Sequence, residues 1–284
     1  MALFDRVIEV FIGNESIKND ITDLRVSFDI LKTNTNIANR CTVSIYNLNP
    51  DNRGKIKELD DQIIVRAGYS EDIGTQLVFS GDILRINHQY PYPDVISKIE
   101  AGDGMKQVRE KRSGISFKDK TDAMLVLKEI VKKLDIPISE IPQALKGEYS
   151  QGYAHTGSVK KALDNICKRF DLDWSVQNGK LQVIEKKGAS KAEPVAIQEV
   201  TGLLEKVERV GDIQEYLVKN VARESPFLKF KTLLNPMIIP GGRVTLSQAG
   251  FPGFYKVMSV QHQGDNYEGD FITTCQVQQI GSGT

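Results

Sequence analysis

Residues 83–89 read Ile-Leu-Arg-Ile-Asn-His-Gln, and residues 257–263 read Val-Met-Ser-Val-Gln-His-Gln. Both run Ile or Val, two variable residues, Ile or Val, one variable residue, then His-Gln. The blocks around them recur in the same order. Leu48-Asn49-Pro50 precedes the first and Leu234-Asn235-Pro236 the second. A short apolar strand follows each tripeptide, at Ile63-Ile64-Val65 and Val244-Thr245-Leu246. Asp94-Val95-Ile96-Ser97 then answers Asp270-Phe271-Ile272-Thr273. From His to Asp the second copy is two residues longer than the first, as a longer hairpin loop predicts. The competing explanation is chance similarity between amphipathic strands. Four blocks in register order favour duplication.

Working outward, the flanks of both copies read as strands. Leu24, Val26, Phe28 and Ile30 alternate with Arg25, Ser27 and Asp29, which buries one face of a strand. Cys41, Val43 and Ile45 repeat the pattern. Further strands are expected at 63–67, 76–80, 83–88 and 95–101. Tyr90-Pro91-Tyr92-Pro93 interrupts the ladder, because proline has no N–H to donate. In the last third, strands are expected at 215–221, 227–232, 243–246, 254–260 and 271–277. Residues 51–61 suit a short helix, and the terminal Gly-Ser-Gly-Thr is expected to be disordered.

The middle has a different period. Met124, Leu127, Ile130, Val131 and Leu134 fall on one helical face. Val159, Ala162, Leu163, Ile166, Cys167 and Phe170 form a second, with Thr156 or Ser158 as N-cap and Asp171 at the helix end. Trp174 and Val176 pair with Leu181 and Val183 across Asn178-Gly179, the dipeptide of a type I′ turn. Lys186–Pro194 has the composition of a linker. The fold expected is mainly β with an α+β insertion. Two related antiparallel β-barrel (tube-type) domains, residues 1–105 and 193–284, flank a helix-containing domain at 106–192.

The 284 residues suit two or three such units. Lys plus Arg and Asp plus Glu both number 37, which excludes a globally basic nucleic-acid binder but not a local patch. No apolar run reaches the ~20 residues of a membrane helix, and charges interrupt any signal-peptide core near the N-terminus. Cys41, Cys167 and Cys275 are far apart and read as buried thiols.

The segment LRVSFDILKTNTNIANRCTVSIYNLNP resembles the opening of baseplate hub proteins of contractile-tailed phages, the late control protein D-like family. Val78-Phe79-Ser80-Gly81-Asp82-Ile83 shares that resemblance. LLNPMIIPGGRVTL with YKVMSVQHQGDNYEGDFITTCQV is similar to the second tube domain of those hubs, and LDWSVQNGKLQVI to their middle domain. The resemblance implies a homotrimer whose six tube domains form a pseudo-sixfold ring. Such a ring would join the sixfold tail tube to the threefold central spike and leave a channel for DNA in transit. It implies as partners the chain itself, a tail tube protein, a spike protein and other baseplate proteins. The implied location is the virion tail baseplate, assembled in the host cytoplasm.

The sequence carries no recognisable catalytic, cofactor or metal motif. There is no phosphate-binding loop, nucleophile elbow or His-Glu-x-x-His. Gly102-Asp103-Gly104 reads as a turn, and Asp171-Leu172-Asp173 as a helix-to-strand corner. His88, His155 and His262 are the only histidines, and the repeat makes two of them equivalent strand positions. Lys106, Arg109, Lys111 and Arg112, with Lys118 and Lys120, form a basic cluster suited to an acidic partner or a phosphate, or to a solvated edge. The alternatives to a structural hub are a nucleic-acid module using that cluster and a cell-wall-degrading enzyme. The enzyme would need a carboxylate pair, for which Glu129, Glu140 and Glu148 are available.

Overall fold

A computed structural model describes residues 5–13, 15–16, 24–56, 61–71, 74–103, 105–210, 227–248 and 250–280. The strand expected at 215–221, part of the helix expected at 51–61 and the terminal Gly-Ser-Gly-Thr lie outside them.

The chain opens with β1 (Arg6–Ile12), β2 (Glu15–Ser16), β3 (Val26–Thr33) and β4 (Arg40–Tyr46). After α1 (Pro50–Lys55) come β5 (Gln62–Tyr69), β6 (Gly74–Gln89) and β7 (Ile96–Gly102). Residues 76–80 and 83–88, expected as separate strands, are one strand. Ser80-Gly81-Asp82 continues it without a turn. Gly81 is required there: a Cβ would sit 2.5 Å from the Gly102 carbonyl oxygen.

The middle holds α2 (Met105–Glu110), β8 (Arg112–Phe117), β9 (Thr121–Asp122) and α3 (Ala123–Leu134). It continues with β10 (Ile138–Glu140), β11 (Glu148–Tyr149), β12 (Tyr153–Ser158), α4 (Val159–Arg169), β13 (Leu172–Gln177) and β14 (Lys180–Glu185). Both long helices bury the faces their periodicity marks, against each other and the β13–β14 hairpin. Asp122 caps α3 by accepting from the Met124 N–H at 2.6 Å. Ser158 is the N-cap of α4 without a side-chain bond, and Thr156 stays in β12. Helix α4 ends at Arg169. Asp171 is therefore not helical; it turns the corner with φ of 53°.

The last third comprises β15 (Val195–Ile197), β16 (Glu208–Val210), β17 (Phe227–Leu233), β18 (Arg243–Leu246), β19 (Gly253–Asp265) and β20 (Phe271–Gln279). Its strand order, β16-β17-β20-β19-β18-β15, matches β3-β4-β7-β6-β5-β1 of the first half element for element. The two orders differ at one pairing: β15 runs parallel to β18, whereas β1 is antiparallel to β5. A second parallel pair, β10 with β14, lies in the insertion.

The duplication extends to irregularities. The β6–β7 ladder shifts register between Ile83 and Arg85, and the β19–β20 ladder between Val257 and Ser259. Those are equivalent positions, so the β-bulge is itself repeated. His88 Nδ1 lies 3.0 Å from Ser97 Oγ, and His262 Nδ1 lies 2.9 Å from Thr273 Oγ1. The Asn49 side chain accepts from the Asp51 N–H and that of Asn235 from the Met237 N–H, closing the same turn twice. The two extra residues of the second copy lengthen the ladder, which runs one pair past the His-Gln motif to Gly264 and Phe271.

The first half packs around one apolar cluster, to which Leu234 and Phe271 of the second half contribute; the second half packs around another and the insertion around a third. Val43, Ile45, Val65, Ile99, Val244, Val260 and Val277 are fully buried, each stabilising by about 1.5–3 kcal/mol. The sequence does not show that the halves share one sheet. Strand β19 pairs with β18 at its start and with β3 from Ser259 to Asp265, which puts thirteen described strands into one sheet.

Candidate functional site

The seam between halves is held by side chains as well as by the ladder. Gln261 Nε2 donates to both oxygens of Asp29, at 2.9 and 3.1 Å, and Gln263 Nε2 donates to Asp29 Oδ2 at 3.1 Å. At its far end Arg25 bonds Asp265 at 2.8 Å and packs over Tyr46. Gly264 leaves room for the Phe28 ring, which a Cβ would meet at 2.5 Å.

The insertion docks beneath the seam through buried polar groups. Asn178 and Gly179 have φ of 53° and 74°, as a type I′ turn demands. Their N–H groups donate to Asp103 at 2.6 and 2.7 Å, one to each carboxylate oxygen. Lys32 Nζ donates to Asn178 Oδ1 at 2.6 Å, and Gln177 Nε2 to the Thr33 carbonyl at 2.9 Å. Asn39 Nδ2 donates to the Val176 carbonyl at 2.8 Å. Burial pushes Lys32 down to about 8 against the attraction of Asp103. Burial also raises Asp103, opposed by the N–H groups of Gly179 and Asn178 and by Lys32. From the second half, Lys256, 1% exposed, reaches Asp173 Oδ2 at 3.0 Å and the carbonyls of Glu185 and Lys186. Asn34 donates to the same Asp173 oxygen at 3.2 Å. The first half thus grips the hairpin tip, and both halves meet at Asp173 near its base.

Three residues of the basic cluster form ion pairs through exposed side chains. Lys111 Nζ pairs with Asp135 at 2.9 Å, Lys120 with Glu148 at 2.8 Å and Arg109 with Glu110 at 3.4 Å. Arg112 lies in β8 opposite Ser158. The Lys106 side chain lies outside the described residues. The carboxylates considered for catalysis do not converge. Glu129 pairs with Lys133, Glu148 with Lys120, and Glu140 accepts from Ser190 Oγ and the Lys191 N–H. His262 is fully buried, His88 half-buried, and His155 Nε2 contacts the Ser158 carbonyl at 2.9 Å. No group of three metal-ligating side chains occurs among the described residues.

Sequence reading passed over Asp103, which it placed in a plain turn, and Asp173, which it placed in a corner. It also missed Lys32, Asn39 and Lys256. One signal was present: Lys32 continues the apolar face of Val26, Phe28 and Ile30 by period two, so a lysine was due to be buried.

A duplicated antiparallel unit sharing one sheet, with a helical insertion clamped beneath, frames the comparisons with known proteins. The model of the family baseplate hub gp41 matches residues 7–246. The chain belongs to the baseplate hub gp41 family. No curated protein matches its sequence. Solved structures share its fold at low identity. The 43 kDa tail protein of prophage MuSo2 from Shewanella oneidensis is 11% identical, with a TM-score of 0.65 over 96% of both chains. A tail protein from Neisseria meningitidis MC58 is 14% identical, with a TM-score of 0.64 over 98% of both. An Escherichia coli component of the type VI secretion system has a TM-score of 0.59 at 10% identity over 96% of this chain and 77% of its own. That protein is described as structurally similar to the T4 tail proteins gp27 and gp5. As a baseplate hub protein, the chain is a structural component of a phage tail baseplate.

Proposed function

We propose that this hub protein trimerises into a pseudo-sixfold ring that joins the sixfold tail tube to the threefold central spike and leaves a channel for DNA. The observation that supports this most directly is the duplication. A chain with two equivalent sheet units presents six such units in a threefold assembly, which is the symmetry change an adaptor must make. On this reading the chain is not an enzyme, and its partners are itself, a tail tube protein, a spike protein and other baseplate proteins. It assembles in the host cytoplasm before joining the virion. The units meet near residues 105 and 192, where limited proteolysis of the free chain is expected to cut first. Light scattering coupled to size exclusion, at high concentration, should give three times the chain mass, and electron microscopy should show a ring. A species that stays monomeric and joins neither tube nor spike partner overturns the proposal. Release of fragments from purified peptidoglycan overturns the non-enzymatic part.

A further inference from the structure

The two copies of the His-Gln strand differ in what covers them. In each copy the strand pairs on one edge with its hairpin partner, β7 or β20. On the other edge its first half pairs with β5 or β18. Past that point the copies diverge. From Ser259 to Asp265 the edge of β19 is taken by β3. Among the described residues, no strand takes the equivalent edge of β6 at Asn87–Gln89. Asn87 and Gln89 are exposed there, whereas their counterparts Gln261 and Gln263 are half-buried; His88 is half-buried where His262 is fully buried. An open edge invites another strand.

The duplication identifies the strand that fits. The counterpart of β3 in the second half is β16, at the end of the sheet order. The ladders fix the register. Ser97 faces Ile45 and its equivalent Thr273 faces Thr232. Five residues earlier, Arg40 faces Leu31, and Phe227 faces Val210. Leu31, Ile30 and Asp29 therefore correspond to Val210, Arg209 and Glu208. Asp29 is the carboxylate clamped by Gln261 and Gln263, whose counterparts are Asn87 and Gln89. Both sides of the clamp thus exist a second time, a carboxylate on β16 and two amides on β6, on edges with no described strand between them.

We infer that the β6 edge of one subunit pairs antiparallel with the β16 edge of a second copy of this chain. Asn87 lies opposite Val210, His88 opposite Arg209 and Gln89 opposite Glu208, and the amides of Asn87 and Gln89 hold the Glu208 carboxylate. The joint between subunits repeats the joint inside each subunit. The surface is heterologous, because each subunit offers one edge of each kind, so it does not stop at a symmetric dimer; in a threefold assembly it closes into a ring. The inference rests on the proposed trimer for its copy number, and on the ladders for its residues.

Directly opposed residues in such a ladder have Cα atoms about 4.5–5.5 Å apart, within disulfide reach. The native thiols Cys41, Cys167 and Cys275 are buried. The test is the full chain carrying Gln89→Cys and Glu208→Cys, oxidised and run on a non-reducing gel, alongside scattering of the unmodified chain. Covalent trimer is expected, with no crosslink in either single variant. Asp29→Cys with Gln263→Cys should link within the chain and leave its mass unchanged, which checks the template. A trimer by scattering without the 89–208 crosslink overturns this pairing and leaves the ring standing. A monomer at all concentrations overturns both. An independent arm uses charge. Gln89→Glu should weaken association at least tenfold, and adding Glu208→Lys should restore it. Failure of the second change to restore it also overturns the pairing.

Discussion

The two halves carry the same strand order, the same bulge and the same His-hydroxyl pair, yet treat equivalent positions differently. Position 256 is a lysine sealed beneath the sheet and holding the insertion through Asp173. Its counterpart in the first half, Asp82, is half-buried and has a single long contact, 3.5 Å from Gln62 Nε2. Position 264 is a glycine pressed on an aromatic ring, while its counterpart Tyr90 is 71% exposed. The copies diverged where one became internal to the subunit and the other remained at its surface. Duplication supplied the frame, and burial decided which side chains each copy could keep.

The largest effect should come from breaking that contrast at the insertion. Asp173→Ala removes the carboxylate from a lysine that water cannot reach. Two carbonyls still hold the ammonium, so the loss should be about 3 kcal/mol, at the low end for a broken buried pair. Asp82→Ala, at the position equivalent to Lys256, should cost under about 1 kcal/mol. Urea midpoints of the two variants measure the difference. Equal losses would mean that the sealed Lys256–Asp173 pair stabilises no more than a long contact in the other half.

Acid sharpens the comparison next. His262 is held neutral, lowered from 6.5 to about 3 by burial and by the nearby charge of Lys32. The unfolded chain binds a proton there below about 6.5 and the native one does not, so stability falls as pH drops from 6.5 toward 3. The slope is about 1.4 kcal/mol per pH unit for this group. His262→Gln should keep a bond to Thr273 and flatten thermal midpoints across that window. An unchanged slope would place the acid sensitivity elsewhere.

How much of this was legible in the sequence follows from which interactions leave a local pattern. Alternation at Val26–Ile30, the helical faces of α3 and α4 and the Asn178-Gly179 turn are set by neighbours in sequence, and all are present. The repeat was legible because its bulge and its Asn-Pro turns need particular residues at fixed offsets. The seam was not, because pairing of β3 with β19 joins residues about 230 apart, and either strand reads equally well as an edge. Asp103 was misread for a related reason. Gly-Asp-Gly describes a turn, and only the arrival of the Asn178-Gly179 tip from the insertion makes its carboxylate an anchor. The ion pairs of the basic cluster were only partly legible: Glu110 neighbours Arg109 in sequence, whereas Asp135 and Glu148, which pair with Lys111 and Lys120, are remote.

A smaller effect tests packing at the seam. Gly264→Ala forces a methyl against the Phe28 ring and should cost about 1–3 kcal/mol. Tyr90→Ala changes an exposed side chain at the equivalent position and should lie within about 0.5 kcal/mol of the parent. Thermal unfolding resolves the two. If Gly264→Ala is silent, the aromatic packing of Phe28 against the seam is looser than the geometry requires.

The smallest effect compares the two amide clamps directly. Asp29→Asn keeps the shape of the internal clamp but removes its charge, trading charge-assisted bonds for neutral ones, and should cost about 1 kcal/mol of chain stability. Glu208→Gln makes the same change on β16, where the partner amides belong to another copy. It should leave the unfolding midpoint of the isolated chain unchanged and weaken association by about fivefold, the same free energy expressed between molecules. The pair of measurements uses one chemical change to read one contact in two settings. Were Glu208→Gln to lower chain stability instead, its carboxylate would be serving a bond inside the subunit, and the symmetry between the two joints would fail at the residue that defines it.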